Sequence, residues 1–167
     1  SRRKITLSTC GLPEGIRRLG LEPVRPRLAI SLNATTDEIR SRLMPVNRQH
    51  PLAELLSACA SFPLIRGERI TIEYVLIRDV NDAAADARRL VRLLRPLRCK
   101  LNLIPYNEIP GVPLRAPLED QVAVFQNILQ EAHYTAIIRK SRGADIRAAC
   151  GQLAAGCPAD GGGAPAG

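Results

Sequence analysis

The sequence predicts an α/β fold: a parallel sheet with helices outside it. Three observations carry that reading. Short β-rich runs alternate with helical stretches five times along the 167 residues, which is the order of βαβ units. The strand runs are near-continuously apolar, as expected of parallel strands covered on both faces. The helical stretches each place their apolar residues in one stripe at helical spacing.

In chain order, Ile5 to Thr9 is a short β-rich run closed by Gly11 and Pro13. A short helix spans Gly15 to Leu19, and Leu28 to Leu32 is a second apolar strand. Thr36 or Asp37 caps a helix through Leu43, which Met44-Pro45 ends, because the residue before a proline is pushed out of the helical region. Leu52 to Ala60 is another helix, with Leu52, Leu55, Leu56 and Cys59 on one face. Arg69 to Ile77 is the clearest strand, dominated by β-branched and aromatic residues. Asn81 or Asp82 caps a helix reaching about Leu94. Its inward stripe is Ala83, Ala87, Leu90, Val91 and Leu94, and Arg88, Arg92 and Arg95 share another face. Leu101 to Ile104 is a strand, followed by a Pro- and Gly-containing loop from Pro105 to Pro117. A long helix then runs from Leu118 to Ala132, burying Val122, Phe125, Ile128 and Leu129, and Thr135 to Arg139 is the last strand. Asp145 to Leu153 adds one or two helical turns. We expect one folded unit over 1–153 and a disordered Gly/Ala/Pro tail over 154–167.

Composition narrows the classes. Apolar content of 46% suits a globular domain with a real core. Lys and Arg number 24 against 16 Asp and Glu, for a net charge of +8. That balance fits a polyanion partner, and it equally fits an Arg-rich solvated surface. Aromatics are 3% with no Trp, so contacts to nucleic acid would rest on phosphates rather than on base stacking. No apolar run approaches the ~18–20 residues of a membrane span. The basic start SRRKITLST lacks the apolar stretch of a signal peptide. We therefore expect a cytoplasmic protein with reduced thiols and no membrane partner. The five cysteines (Cys10, Cys59, Cys99, Cys150 and Cys157) form no CxxC pair, which argues against a disulfide scaffold or a local zinc site. The chain opens at Ser1 on the edge of a strand, the pattern of a piece of something longer.

In parallel α/β folds ligands sit at the carboxyl ends of strands. There the first strand offers Ser8 and Thr9, the second Ser31 and Asn33, and the fourth Asn107 beyond its proline. Alternation sets Ser31 and Asn33 on one face with Leu32 opposite. A hydroxyl beside an amide suits an amino-acid or ribose group, and it also suits a turn and a helix cap. No GxGxxG or GxxxxGK[ST] is present. His50 and His133 each stand alone and read as surface residues. Cys150 follows Arg139, Lys140 and Arg142 and precedes Gly151. Guanidinium neighbours favour a thiolate, while the spacing Ile146, Ala149, Cys150, Leu153 equally describes a core stripe.

Four segments occur in fixed order: SLNATTDEIRSRLMPVN (Ser31 to Asn47), ITIEYVLI with VNDA after it (Ile70 to Ala83), CKLNLIPYNEIPG (Cys99 to Gly111) and RGADIRAACGQL (Arg142 to Leu153). Together they closely resemble the radical S-adenosylmethionine methyltransferases that methylate C2 of an adenine in 23S ribosomal RNA. Members of that family also act on an adenine in transfer RNA. The likeness runs from Ser1 to about Leu153. It implies the C-terminal part of a radical-SAM partial (β/α) barrel, with Ser8, Ser31, Leu32, Asn33 and Asn107 contacting S-adenosylmethionine. It implies that Cys150 carries a methyl group taken from one S-adenosylmethionine. A radical made from a second would activate that S-methyl group to attack the electron-poor C2, and a second cysteine would release the product by forming a disulfide. It also implies a [4Fe–4S] cluster, an electron donor such as flavodoxin, 23S rRNA and tRNA as partners, and a monomer when complete. The family's CxxxCxxC motif, its resolving cysteine and its glycine-glutamate segment are absent from these residues. The resemblance places them upstream of Ser1, so this chain alone is expected to be inactive. Where the family usually has RGDDIDAACGQL, Ala144 and Arg147 replace two acids. The related C8-methylating enzyme and a non-catalytic RNA-binding remnant are the alternatives.

Overall fold

The computed structural model describes residues 5–139. Five strands form a single sheet: β1 (Thr6–Thr9), β2 (Arg27–Ser31), β3 (Ile70–Leu76), β4 (Cys99–Pro105) and β5 (Ala136–Ile138). Between them run α1 (Pro13–Leu21), α2 (Asp37–Leu43), α3 (Leu52–Ala60), α4 (Ala84–Leu94) and α5 (Glu119–Glu131), with a 3₁₀ turn at Pro45–Arg48. The strands lie side by side in chain order and every pair is parallel. The helices pack against one side of the sheet, as crossovers of one hand between successive neighbours require. The result is a section of barrel wall rather than a doubly wound sheet.

Register divides the sheet into two unlike faces. Leu28, Ile30 and Leu32, then Ile70, Ile72, Tyr74 and Leu76, then Cys99, Leu101 and Leu103, point one way and join one core with Ile16, Leu55, Leu90, Leu94, Phe125 and Leu129 from the helices. The rings of Tyr74 and Phe125 lie 5.4 Å apart at its centre. The alternate residues point the other way: Ser8 beside Ala29, Ser31 beside Glu73, Thr71 beside Lys100, and Glu73 beside Asn102. This agrees with the expectation of parallel strands with helices outside them. Among the described residues the helices feed one face, because a barrel turns its other face toward its own interior.

Several local expectations hold and others shift. Thr36 caps α2, its hydroxyl accepting from Ile39 N at 3.4 Å. Asp37 instead ties α2 to the start of α3, accepting from Leu52 N at 2.8 Å and from Asn47 Nδ2 at 2.9 Å. Neither Asn81 nor Asp82 caps α4, whose N-cap is Ala83 with no side-chain bond. Asn81 is spent on the loop after β3, accepting from Ile77 N and donating to Val75 O and Asn33 O, each at 2.7 Å. Asp82 accepts from Asp79 N at 3.0 Å. Because α4 starts later than expected, Ala83 is exposed, and Asp86 sits buried, paired with Thr35 and Arg89.

Candidate functional site

The carboxyl ends of β1 and β2 are drawn together by one buried cation. Arg40 of α2 is fully buried. Its guanidinium donates to Cys10 O at 2.6 Å, Leu32 O at 3.0 Å, Ser31 O at 3.3 Å and Asn47 Oδ1 at 2.9 Å. Burial lowers its pKa from the ordinary arginine value. A planar fork with several fixed donors can gather carbonyls from two strands at once, which an ammonium cannot match. Gly11 completes the turn after β1. Its φ of +97° is left-handed, and a Cβ there would lie 2.6 Å from Leu55 Cδ1.

On this frame Ser8 and Ser31 converge. The Ser8 hydroxyl donates to Glu73 Oε2 at 2.8 Å, and the Ser31 hydroxyl approaches the same oxygen at 3.4 Å. Ser8 is exposed and Ser31 and Glu73 are half-buried, so the group borders solvent. Leu32 turns its side chain into the core and offers the site only its backbone. Asn33 departs from the alternation expected of it. β2 ends at Ser31, and Asn33 adopts φ 58°, so its side chain folds back to accept from Val75 N at 3.0 Å. Asn107 stands half-buried in the loop after β4, where Tyr106 N donates to Leu76 O at 2.9 Å and holds the loop to the end of β3. The same loop is tied down by Arg78, whose Nε donates to Ala116 O at 2.8 Å. Cys150 and the turns expected over 145–153 lie outside the described residues, as does the tail over 154–167.

Glu73 is the residue that reading the sequence missed. A signal was present: within ITIEYVL the residues Thr71 and Glu73 fall on one parity and Ile70, Ile72 and Tyr74 on the other. A carboxylate in the middle of such a run marks a face that is not core.

The other thiols are a poor match for metal chemistry. Cys59 and Cys99 are buried, and burial pushes each thiol up to about 12, which makes them unreactive. Cys10 is exposed. Among the described residues no three His, Cys, Asp or Glu side chains gather to hold a metal ion. These residues therefore do not fit a [4Fe–4S] cluster, whereas the strand-end hydroxyls, carboxylate and amide fit a polar organic ligand. His50, half-buried just before α3, lies 3.3 Å from Glu54 of that helix. Arg88, Arg92 and Arg95 are exposed on α4, as expected, and no carboxylate pairs with them among the described residues. No described helix is long and apolar enough to cross a membrane.

Parallel strands in chain order, one-sided helices and polar groups at the strand ends define a (β/α) barrel-wall segment with a ligand-type site at its strand ends. A radical SAM methyltransferase from Sphaerobacter thermophilus superposes with a TM-score of 0.86 at 47% identity, over 91% of this chain and 45% of that one. A domain of a pyruvate-formate lyase-activating enzyme from Bacteroides vulgatus shares the fold alone, with a TM-score of 0.62 at 19% identity. No family model matches the chain. The dual-specificity RNA methyltransferase RlmN of Anaeromyxobacter sp. is 58% identical over 162 residues, 96% of this chain and 42% of that protein. The RlmN of Geobacter sulfurreducens is 56% identical over 153 residues, 92% of this chain and 42% of that protein. The chain is similar to RlmN methyltransferases over nearly its whole length, and it spans less than half the length of the curated relatives it matches.

Proposed function

We propose that this chain supplies the C-terminal part of the barrel of an enzyme that methylates C2 of an adenine in 23S rRNA and in tRNA. The observation that carries this reading is the gathering of Ser8 and Ser31 on one carboxylate at the carboxyl ends of β1 and β2, within a fold shared with a radical SAM methyltransferase. Ser8, Ser31, the backbone of Leu32, Asn33 and Asn107 hold S-adenosylmethionine. That ligand supplies both the methyl group and, with a [4Fe–4S] cluster and an electron donor such as flavodoxin, the radical. This chain contributes no CxxxCxxC motif to the cluster. Cys150 carries the methyl group to the base, since sulfur accepts it first and later serves as a leaving group. The exposed guanidiniums of α4 contact RNA phosphates.

The test is Cys150→Ala in the intact protein. Methylation of the adenine, read by mass spectrometry of the RNA, should be abolished, and undiminished product would overturn the role of that thiol.

A further inference from the structure

The arrangement of Glu73 says more than that the site is polar. An ionised carboxylate only accepts hydrogen bonds, whereas a serine hydroxyl has one hydrogen to give and two lone pairs to receive with. The 2.8 Å contact therefore has one direction, and Ser8 has spent its hydrogen on Glu73. Ser31 has its hydrogen aimed at the same oxygen over 3.4 Å. Both hydroxyls then meet anything in front of them as acceptors. A second observation points the same way. Among the described residues no Lys, Arg or His lies within ion-pair distance of Glu73, so its charge is left to the site. The strand ladder fixes its place, since Ser31 pairs with Glu73 in register and Leu32 N donates to Glu73 O at 2.9 Å.

We propose that Glu73 is the positioning residue of this site: it orients Ser8 and Ser31 as acceptors, so the site takes a hydrogen-bond donor of its ligand, a hydroxyl or an ammonium, and turns away the ligand's carboxylate. The inference rests on the reading that Ser8 and Ser31 hold S-adenosylmethionine, and it adds which side of that molecule they hold. Glu73 acts through the serines and no reacting atom is assigned to it.

The experiment is equilibrium binding of S-adenosylmethionine to the intact protein. Glu73→Gln keeps the shape but lets an amide N–H donate to the serines and turn their hydrogens outward. Its affinity should fall about tenfold, the effect of one hydrogen bond reversed against its partner, with a cooperative melt retained. The double variant Ser8→Ala, Glu73→Gln should bind no worse than the weaker single variant, because one interaction is lost twice. A merely structural carboxylate would give additive losses. Analogues lacking a ribose hydroxyl or lacking the α-amino group distinguish the two donors, and for one of them Glu73→Gln should no longer matter. If Ser8→Ala weakens binding while Glu73→Gln binds as wild type, this inference fails and the site stands. If Ser8→Ala and Ser31→Ala both bind as wild type, the site assignment fails and the inference with it. Should Glu73→Gln not fold, the unaltered protein still decides: equal affinity for S-adenosylmethionine and for both analogues overturns the proposal.

Discussion

The two faces of one sheet follow opposite rules. On the helix side, Ile72, Tyr74, Leu101 and Leu103 are wholly buried and meet Leu90 and Phe125. Their worth is area removed from water, and it depends little on direction. On the other side, Ser8, Ser31 and Glu73 are joined by a few hydrogen bonds of fixed direction. There the energy is small and the information is large, because each bond has a donor and an acceptor that cannot be exchanged. Residues one position apart on β3, such as Ile72 and Glu73, thus face the apolar core and the polar strand-end group separately.

That contrast can be broken or sharpened by substitution. The largest effect is expected on the apolar face: Phe125→Ala removes the ring packed on Tyr74 and should lower unfolding free energy by about 3–5 kcal/mol. Denaturant titration checks it, and a loss under about 1 kcal/mol would show that this face is not the main source of stability. Arg40→Met tests the junction of the faces. It leaves the carbonyls of Cys10, Ser31 and Leu32 without their buried donor, and should cost roughly 3 kcal/mol while also weakening ligand binding. Asn107→Ala belongs to the polar side. S-adenosylmethionine binding should weaken about fivefold with stability within ~0.5 kcal/mol, and wild-type affinity would remove Asn107 from the site.

Alkaline pH separates the faces by another route. Cys59 and Cys99 have thiols raised from 9.0 to about 12 by burial in the apolar core. The unfolded chain loses those protons first, so their contribution to stability is complete below pH 9 and is lost as pH rises toward 12. The pair Cys59→Ala, Cys99→Ala should flatten the fall in melting temperature across that window, and an unchanged slope would mean that other groups govern it. The smallest effect on folding is expected from replacing Arg88, Arg92 and Arg95 with Gln. Stability should stay within ~0.5 kcal/mol, while the salt dependence of RNA binding becomes shallower; an unchanged slope would make the stripe a solvated face.

Much of this was legible beforehand. α3 begins and ends where its apolar spacing says, at Leu52 and Ala60, because that pattern is local. The cap of α2 at Thr36 was legible for the same reason. The start of α4 was misplaced because Asn81, a good cap by type, is drawn away by Ile77 N, Val75 O and Asn33 O, two of which belong to the end of β3 and its loop and one to the turn after β2. Asn33 was set beside Ser31 by alternation, which stops once the chain turns left-handed at φ 58°.

By itself the sequence determined the parallel α/β class, the helix stripes and the strand-end residues Ser8, Ser31 and Asn107, since periodicity and order along the chain are local properties. The tertiary structure alone decided that Arg40 gathers two strand ends and that Glu73 binds the two serines. Those pairings join residues 42 to 65 positions apart for Glu73 with Ser31 and Ser8. Only strand register brings them within reach, and register depends on the whole sheet rather than on any one segment.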